Sequence, residues 1–236
     1  MNDSICVIIP VYNNARTVGA VIDRCKAYIN NIIVIDDGSD DGTSEIIKTK
    51  NVIIHRNSRN SGKGDAIKKG LKIAERSGFT CCITIDADGQ HSPEDIPKLI
   101  SALKKNTIII GVRDFGENVS RRTKSGRRIS NFFTHLCTHK SLLDTQSGFR
   151  LYPVKLVSSL KIKSNAFDFE VEVLVKSSWK GIQINEVPVS VHYDAPEARV
   201  THFRVFRDNL IISKLWTKLI IMAFFTIPLY YLKYRK

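Results

Sequence analysis

The chain has 236 residues, of which 43% are hydrophobic, and its 36 Lys and Arg outnumber 23 Asp and Glu to give a net charge of +13. A chain of this length can bury a complete core as one large domain, or as one domain with an appendage, and its composition excludes collagen-like, disordered and disulfide-scaffold proteins. The positive charge suits a polyanion, an anionic membrane or a phosphorylated substrate, but no zinc-finger, RNP or KH signature is present, so we expect no nucleic-acid partner.

Five short apolar runs rich in β-branched residues predict strands that are covered on both faces. They are residues 5–9, 32–35, 52–54, 81–85 and 107–110. Apolar stripes at helical spacing lie between them, at residues 18–29 and 66–74, and Ser92 followed by Pro93 marks a third helix start. Strands that alternate with helices predict an α/β fold, a mostly parallel sheet flanked by helices.

Polar residues follow three of the predicted strands at the point where each strand ends. They are the segments 10–14, 36–43 and 86–91. Because ligands bind at the carboxyl ends of parallel strands, we expect these segments to converge on one site. We expect Asp36 and Asp37 to contact a ligand, whereas Asp40 or Asp41 forms an Asx-turn that caps the following helix.

Asp86 and Asp88 are the strongest candidates for metal ligands. Two carboxylates at i and i+2 leave a buried strand just before Gly89, and such a pair can share a hard divalent cation with phosphate oxygens. The pattern therefore favours Mg²⁺ or Mn²⁺. His91 is either a further ligand or a solvent-facing loop residue, and no H-E-x-x-H or Cys/His cluster indicates zinc.

Eight segments resemble motifs of a known family. PVYNN at 10–14, IDDGSDDGT at 35–43, RNSGKGDAI at 59–67 and DADGQHSPEDI at 86–96 resemble the family 2 glycosyltransferases of the GT-A fold. The closer resemblance is to the polyprenyl-phosphate sugar transferases of the dolichyl-phosphate mannose synthase type, and it lies in RRISN at 127–131, DTQSGFR at 144–150, FDFEVE at 167–172 and NEVPVSV at 185–191. The resemblance implies a glycosyltransferase domain over residues 1–195, with a nucleotide-sugar half (1–112) and an acceptor half (113–195), followed by a membrane-associating segment (196–236).

Carried over position by position, the resemblance implies a site for a nucleotide-diphosphate sugar. The implied residues are Pro10, Tyr12, Asn14, Asp37, Asp86, Ala87, Asp88 and Gln90, with Arg199 as a diphosphate contact on a closing loop. Of these, Asp86, Asp88 and Gln90 would hold the Mg²⁺ or Mn²⁺. Asn14 stands where an acid is common, which leaves the base open between uracil and guanine. Lys63, between two glycines in a predicted loop, could approach a phosphate.

The acceptor is predicted from the chemistry that its nucleophile requires. A hydroxyl needs a general base, and the sequence has no E-D pair outside the helix start at residues 94–95 and no Q-x-x-R-W segment. A lipid monophosphate needs no base, because its second pKa is about 6, but it needs positive charge. Residues 113–163 hold 11 Lys and Arg against 3 Asp and Glu. The implied acceptor-phosphate ligands are Arg113, Arg127, Arg128, Ser130 and Arg150, and we assign the catalytic contributions to Asp88 and Arg128.

Two alternatives stay open at the level of the sequence. The first keeps the fold but uses a glycan or peptide hydroxyl as acceptor, with Asp144 or Glu170 as the base. The second is a catalytically silent nucleotide-sugar binder or membrane scaffold, against which the intact D-x-D pair argues. Glu170 lies in a segment where apolar residues from 167 to 175 fit helical spacing, so a helix start near Asp168 is expected.

The C-terminal segment predicts association with a membrane. Residues 203–215 combine an apolar stripe with basic residues, which is typical of a helix in a membrane interface, although docking on the protein's own sheet is an alternative. Residues 219–232 are apolar but shorter than the roughly 20 residues of a spanning helix, and Pro228 is expected to interrupt them. We therefore expect a monotopic protein on the cytoplasmic face of a polyprenyl-phosphate-containing membrane. One tilted span, or a contact with a second copy or a membrane partner, remains an alternative.

Overall fold

The computed structural model describes residues 4–114, 121–192 and 205–234. Seven strands form one sheet: β1 (Ile5–Val11), β2 (Ile32–Asp36), β3 (Ile53–Arg56), β4 (Cys81–Thr84), β5 (Thr107–Arg113), β6 (Arg150–Pro153) and β7 (Gln183–Val189). Their order across the sheet is β3-β2-β1-β4-β6-β5-β7. The sheet therefore places the first strand next to the centre, with β2 and β4 as its neighbours.

Most strand pairs are parallel, as the sequence predicts. β1 is parallel to β2 and β4, β2 to β3, and β5 to β7, whereas β6 is antiparallel to both β4 and β5. Alternate residues of β1 enter different cores, with Val7 and Ile9 on one face of the sheet and Cys6 and Ile8 on the other. Because both faces are covered, β1 is apolar throughout and shows no alternation with polar residues.

Eight α-helices are described: α1 (Val18–Lys26), α2 (Thr43–Lys48), α3 (Lys63–Arg76), α4 (Ile96–Ser101), α5 (Arg121–Thr138), α6 (Val154–Ser158), α7 (Phe169–Trp179) and α8 (Val205–Tyr234). Of these, α1 and α3 lie at the positions that the two apolar stripes predict. A 3-10 turn at Pro93–Asp95 leads into α4, so the third predicted helix start is confirmed. The helix start near Asp168 is also confirmed, since Asp168 is the residue that immediately precedes α7.

Strand β3 differs from its prediction, because it is not covered on both faces. It lies at the edge of the sheet, and Ile53 and Ile54 are 42% and 41% exposed. An apolar run of this length fits an edge strand as well as a buried strand, since periodicity alone does not report which neighbours a strand acquires. The expectation of full burial is therefore wrong for this one strand.

The C-terminal apolar segment forms one helix, and the expected interruption at Pro228 is absent. α8 has 30 residues, which corresponds to about 45 Å at 1.5 Å per residue. A proline inside a helix removes one hydrogen bond and disfavours helical backbone at the preceding residue, but its own fixed φ near −65° is helical. By length and composition, Asp208–Thr226 is long and apolar enough to cross a membrane.

One face of α8 packs against the domain, and it does so on helices rather than on the sheet. Leu215, Trp216, Leu219 and Ala223 are buried in a cluster that includes Cys137 of α5 and Val175 of α7. The opposite face carries large apolar side chains in solvent. Phe224 and Phe225 are 75% and 66% exposed. The helix therefore has a protein-facing side and an uncovered apolar side.

Candidate functional site

A cleft of about 820 Å³ opens along one edge of the sheet, where β1, β2 and β4 end. Its size is that of a pocket for a small-molecule ligand. The three polar segments that follow these strands all contribute to it, as the sequence predicts. Eight of the proposed nucleotide-sugar residues line it: Pro10, Tyr12, Asn14, Asp37, Asp86, Ala87, Asp88 and Gln90. The ninth, Arg199, lies outside the described residues.

The D-x-D pair at the end of β4 is poorly compensated in charge. Burial and the neighbouring Asp86 carboxylate raise the pKa of Asp88 to about 6, although its Oδ1 accepts a hydrogen bond from the Gln90 backbone N–H at 3.0 Å. Burial alone would also raise the pKa of Asp86, but the positive charge of Lys63 holds it below its ordinary value. Arg113 adds a smaller contribution in the same direction. Two close carboxylates short of positive charge are the setting in which a divalent cation binds favourably.

The residues of this cleft fit a metal ion that is shared with a ligand. Within the part of the chain that the structure describes, no group of three or more His, Cys, Asp or Glu side chains could hold a metal by itself. Asp86, Asp88 and Gln90 line the cleft together, so they offer two carboxylates and one amide on its wall. Mg²⁺ commonly combines one or two carboxylates with substrate phosphates, and this donor set is compatible with that arrangement.

Lys63 places a positively charged side chain in the cleft. Its Nζ lies 2.7 Å from Asp86 Oδ1 and 2.8 Å from Glu170 Oε1. Burial would lower the pKa of Lys63, but the two carboxylates raise it above its ordinary value. The sequence predicts a loop at Lys63, but in the structure this residue begins α3. Its positive charge therefore enters the cleft from the first turn of a helix.

The glycines on either side of Lys63 allow its backbone to approach the 165–169 segment closely. Gly62 has φ +100°, and a Cβ there would lie 2.3 Å from the Asn165 carbonyl oxygen. A Cβ on Gly64 would lie 2.7 Å from Phe169 Cβ. Side chains at either position would collide with neighbouring atoms, so the G-K-G sequence is a packing requirement here.

Asp37 organises the loop that leads to Lys63. Its Oδ1 accepts hydrogen bonds from Asn57 Nδ2 at 2.6 Å and from the Ser61 backbone N–H at 2.9 Å, and its Oδ2 accepts one from the Gly62 N–H at 2.7 Å. These bonds fix the loop in front of α3. Asp37 also lines the cleft, and its contact with a nucleotide-sugar ligand stays a prediction.

Asp36 does not face the cleft, so the expectation that it contacts a ligand is wrong. It is buried, its Oδ1 accepts a hydrogen bond from the Ser39 backbone N–H at 2.9 Å, and its Oδ2 accepts one from the Ser44 hydroxyl. Arg56 Nε lies 3.6 Å from the same carboxylate. Consecutive residues at a strand end point to opposite sides of the sheet, which separates Asp36 from Asp37.

The remaining two acids of this segment have structural roles. Asp41 accepts hydrogen bonds from the backbone N–H of Thr43 at 3.0 Å and from that of Ala15 at 3.0 Å. It therefore forms the predicted Asx-turn at the start of α2. Asp40 instead accepts a hydrogen bond from Asn13 Nδ2 at 2.8 Å.

His91 is buried beside the D-x-D pair, so the solvent-facing alternative is wrong. It is 3% exposed, its ring lies 5.4 Å from that of Phe149, and Nδ1 has no hydrogen-bond partner among the described residues. Burial lowers the pKa of His91 to about 4. Its use as a metal ligand stays a prediction.

Two of the proposed acceptor arginines form one cluster with Asp144. Arg113 donates from Nε and Nη2 to the two oxygens of Asp144, at 2.7 and 2.9 Å. Arg127 Nη1 donates to the Arg113 carbonyl oxygen at 3.2 Å. The structure therefore brings Arg113, Arg127 and Asp144 together where β5 ends, and neither arginine is among the residues that line the cleft.

Arg150 and Ser130 do not lie where the sequence places them. Arg150 is 0% exposed, and its guanidinium donates to backbone carbonyls and to Tyr152 in the interior, so its assignment to the acceptor phosphate is wrong. A hydrogen-bonded guanidinium without solvent access has no donor to offer a ligand. The Ser130 hydroxyl is likewise buried, 2.8 Å from that of Thr145. Arg128 is exposed on α5 and is not among the residues that line the cleft.

The two acids considered as a general base are both sequestered. Asp144 has no exposed surface and is held by Arg113, and the Glu170 side chain is 4% exposed against Lys63. Neither lines the cleft. Glu172 also lies inside, where its Oε2 accepts from the Ser164 backbone N–H at 2.8 Å.

Sequence reasoning missed the contribution of α8 to the wall of the cleft. Residues 165–168 form part of it, and Asp208 and Ile211 from the first turns of α8 complete it. The helical spacing of Asp208 and Ile211 was available as a signal, but nothing in the sequence indicates that a C-terminal apolar helix returns to the donor cleft. Asp168 and Asp208 thereby add two carboxylates to this wall.

Comparisons with known proteins give matches over most of the chain. Residues 6–160 match the family model described as glycosyl transferase family 2. The chain is 30% identical over 216 residues to the UDP-N-acetylglucosamine--dolichyl-phosphate N-acetylglucosaminyltransferase of Methanococcus voltae, with 80% of this chain and 86% of that protein covered. It is 26% identical over 201 residues to the undecaprenyl-phosphate mannosyltransferase of Micrococcus luteus, with 79% and 82% covered.

A solved structure matches the fold. Glucosyl-3-phosphoglycerate synthase from Mycobacterium tuberculosis, in complex with Mn²⁺, UDP and phosphoglyceric acid, superposes with a TM-score of 0.67 at 20% identity. The match covers 93% of this chain and 78% of that chain. It agrees with the mixed, mostly parallel sheet flanked by helices that the GT-A resemblance implies.

Proposed function

The chain belongs to glycosyl transferase family 2, and on this premise we propose that it transfers one hexose from a GDP- or UDP-sugar to a polyprenyl phosphate. The transfer inverts the anomeric carbon and uses Mg²⁺ or Mn²⁺. The enzyme class, a glycosyltransferase, follows from the family. The names of two relatives, which specify dolichyl phosphate and undecaprenyl phosphate, support a lipid phosphate as the acceptor.

The main support for the proposal is that the segments following β1, β2 and β4 all line one cleft. Pro10 and Tyr12 come from the end of β1, Asp37 follows β2, and the D-x-D pair follows β4. An apolar and aromatic wall suits a base, while the carboxylate end suits a diphosphate with its cation. This is the arrangement that a nucleotide-diphosphate sugar requires.

The acceptor is supported by the cluster of Arg113 and Arg127. It lies at the end of β5, near enough to the D-x-D pair for the charge of Arg113 to lower the pKa of Asp86. A lipid phosphate that approaches a nucleotide diphosphate needs positive charge at this place, because two polyanions otherwise repel each other. Guanidinium groups supply paired donors and keep their charge.

In this reaction the side chains mainly bind and orient the two substrates. The acceptor oxygen is already ionised near neutral pH, so no residue has to remove a proton from it. When bound, a divalent cation held by Asp86, Asp88 and Gln90 would neutralise charge on the departing diphosphate. Lys63 adds a fixed positive charge at the same end of the cleft, and Arg113 with Arg127 orients the lipid phosphate for attack on the opposite face of the sugar.

The transferred sugar would lie against the wall formed by residues 165–168 and α8. Asp168 and Asp208 line this wall, and carboxylate oxygens accept hydrogen bonds from sugar hydroxyls. The same wall supports a second candidate, transfer to a glycan hydroxyl, because a carboxylate in the cleft could act as general base. Asp168 replaces Asp144 and Glu170 as the residue for that role, since both of those are sequestered.

We propose that the protein associates with the cytoplasmic face of a membrane through α8 and α5. Ile221, Phe224 and Phe225 expose apolar surface on α8, and Ile129 and Phe132 do so on α5. Two packed helices with uncovered apolar side chains next to basic residues are suited to an anionic lipid interface. Because α8 also reaches the cleft, a lipid acceptor would meet the site at the membrane surface.

One experiment tests donor, acceptor and metal together. Purified full-length protein is incubated with a panel of labelled GDP- and UDP-sugars and a short polyprenyl phosphate, with and without EDTA, and the label in the organic phase is measured. We expect one sugar to give an EDTA-sensitive product that mild acid cleaves, as a sugar phosphate linkage requires. An acid-stable product on a glycan would establish the second candidate, and nucleotide-sugar binding without turnover would indicate a silent binder.

A further inference from the structure

Glu170 is a buried carboxylate whose only described partner is Lys63. The Glu170 side chain is 4% exposed, and its Oε1 lies 2.8 Å from Lys63 Nζ. Apart from this ion pair, neither side-chain oxygen has a hydrogen-bond partner among the described residues. A buried charge is costly unless it is paired, so the ion pair with Lys63 is what offsets the burial of Glu170.

Lys63 reaches two carboxylates at once, and they differ in what else they face. Asp86 lines the cleft and its side chain is 25% exposed, whereas Glu170 lies behind the cleft wall and is not among the lining residues. The Lys63 ammonium therefore connects a carboxylate that lines the cleft with a carboxylate in the protein interior.

The backbone around this bridge has little freedom to move. Gly62 and Gly64 pack against residues 165–169 so closely that a Cβ on either would collide. Gly148 closes the other side, since a Cβ there would lie 2.7 Å from Lys63 Nζ and 2.8 Å from Asp86 Oδ2. We therefore expect the Lys63 side chain, rather than its backbone, to move when a ligand binds.

Lys63 competes with a divalent cation for Asp86. An ammonium at 2.7 Å from Asp86 Oδ1 occupies the direction from which a cation would approach that oxygen, and two positive charges at such short range repel each other. A metal ion that binds Oδ1 of Asp86 would displace the ammonium from that oxygen. A lysine without a second carboxylate would resist this exchange, because it would lose its only partner.

We propose that Glu170 is a positioning residue that keeps Lys63 in the cleft when Asp86 exchanges its contact with the lysine for a contact with the metal ion. The ion pair with Glu170 lowers the cost of the exchange and keeps the ammonium at the diphosphate end of the cleft. This inference rests on the proposed function only in its use of a metal-assisted nucleotide diphosphate, and it does not depend on the acceptor.

The test is Mn²⁺ binding to the protein in the presence of UDP or GDP, with the nucleotide alone as the blank, measured from the electron paramagnetic resonance signal of free Mn²⁺. We expect Glu170→Gln to weaken Mn²⁺ binding about tenfold, because Lys63 then has Asp86 as its only carboxylate. Lys63→Gln removes the competitor and should tighten Mn²⁺ binding. In the double variant, the Glu170 substitution should have no further effect, since Glu170 acts through Lys63.

The double variant separates positioning from simple loss of charge. Removing a negative charge near the site would weaken Mn²⁺ binding equally with and without Lys63, so equal weakening in both backgrounds would overturn the proposal. Unchanged Mn²⁺ binding in Glu170→Gln, or no Mn²⁺ binding by the wild type, would overturn it as well. Glu172→Gln is the matched control, because Glu172 is buried on the same helix but pairs with Lys176 Nζ at 2.6 Å. It should leave Mn²⁺ binding unchanged.

Two further measurements keep the outcome interpretable. Should Glu170→Gln not fold, Glu170→Asp keeps the charge but withdraws the carboxylate by one methylene, and the same weakening is expected. UDP and GDP binding in EDTA is measured in parallel, where Glu170→Gln should not weaken nucleotide binding because Lys63 contacts Asp86 in both proteins when no metal ion is present. Failure to form a lipid-linked product while these binding effects hold would reject the proposed acceptor and leave the positioning role intact.

Discussion

Arg150 Nη1 donates a hydrogen bond to the backbone carbonyl of Glu170 at 2.7 Å. Arg150 is fully buried, and this bond ties it to the first turn of α7, which carries the Glu170 side chain that pairs with Lys63. The same guanidinium donates to the carbonyls of Ser147 and Thr145, at 2.6 and 2.8 Å. It thereby fixes the segment that leads to Gly148, which touches the D-x-D pair. The charge of Arg150 thus supports the architecture of the site without entering it.

Replacement of Arg150 is expected to destabilise the fold. Arg150→Met removes the guanidinium donor from the carbonyls of Ser147 and Thr145. Each buried group left unpaired costs about 1–3 kcal/mol, so we expect a loss of about 2 kcal/mol or more. Chemical unfolding measures it. Arg76→Met, at an exposed position of α3, should change the unfolding free energy by less than about 0.5 kcal/mol. Equal stability of the two variants would contradict the structural role.

Asp88→Asn is expected to abolish metal-dependent transfer and to preserve the fold. The substitution keeps the shape of the side chain and removes one of the two carboxylates of the D-x-D pair, so we expect turnover to fall by at least about 100-fold. Organic-phase label measures turnover, and thermal unfolding reports the fold. Asp23→Asn, at an exposed residue paired with Lys50, is the control and should retain activity. Unchanged turnover in Asp88→Asn would refute the metal assignment.

Gly148→Ala is expected to disturb the D-x-D pair directly. The new Cβ would lie 2.7 Å from Lys63 Nζ and 2.8 Å from Asp86 Oδ2, so these side chains must shift. We expect the affinity for Mn²⁺ with UDP or GDP to fall at least about tenfold, which calorimetric titration measures. Gly126→Ala is the matched control, since its Cβ would meet only Gln146 Oε1 at 3.9 Å. The prediction fails if both alanine variants bind as the wild type does.

Arg127 is expected to contribute to acceptor binding more than Arg128. Arg127 donates a hydrogen bond to the Arg113 carbonyl, whereas Arg128 is exposed on α5, and neither is among the residues that line the cleft. Arg127→Gln should raise the KM for polyprenyl phosphate about tenfold and leave the KM for the nucleotide sugar unchanged, because it removes one charge-assisted contact. Arg128→Gln is measured beside it. A larger acceptor effect in Arg128→Gln would restore the catalytic assignment of that residue.

Membrane association is best tested at the exposed face of α8. Deletion of residues 203–236 would also remove Trp216 and Leu219 from a buried cluster, so point substitutions are more informative. We expect Phe224→Glu with Phe225→Glu to reduce sedimentation with anionic vesicles severalfold, since both side chains are exposed. Glutamates at Ile53 and Ile54 form the matched control on the edge strand. Equal retention of both double variants on vesicles would move the membrane contact away from α8.

Much of the site could be predicted from the chain because it depends on local sequence and a topological rule. The apolar segments before Pro10, Asp36 and Asp86 predict strands, and parallel strands bring their carboxyl ends to the same edge of the sheet. Asp41 as an Asx-turn and Asp168 as a helix start also follow from short-range hydrogen bonding. These features involve residues that are neighbours in sequence.

Other assignments failed because they depended on partners far along the chain. Arg113 and Arg150 have the same chemistry, yet one flanks the D-x-D pair and the other is enclosed by backbone carbonyls. Nothing in the residues around Arg150 reports that enclosure. The pairing of Lys63 with Glu170 joins residues from α3 and α7, and the return of Asp208 to the cleft joins α8 to β4.

The sequence by itself determined the fold class, the family and the edge of the sheet where the polar segments meet, since strand periodicity and strand-end residues are local properties. Only the tertiary structure decided which charged groups are buried, which are paired and which face the cleft. The physical reason is that desolvation and ion pairing depend on atoms brought within a few ångströms by packing, and that proximity is not encoded in the spacing of residues along the chain.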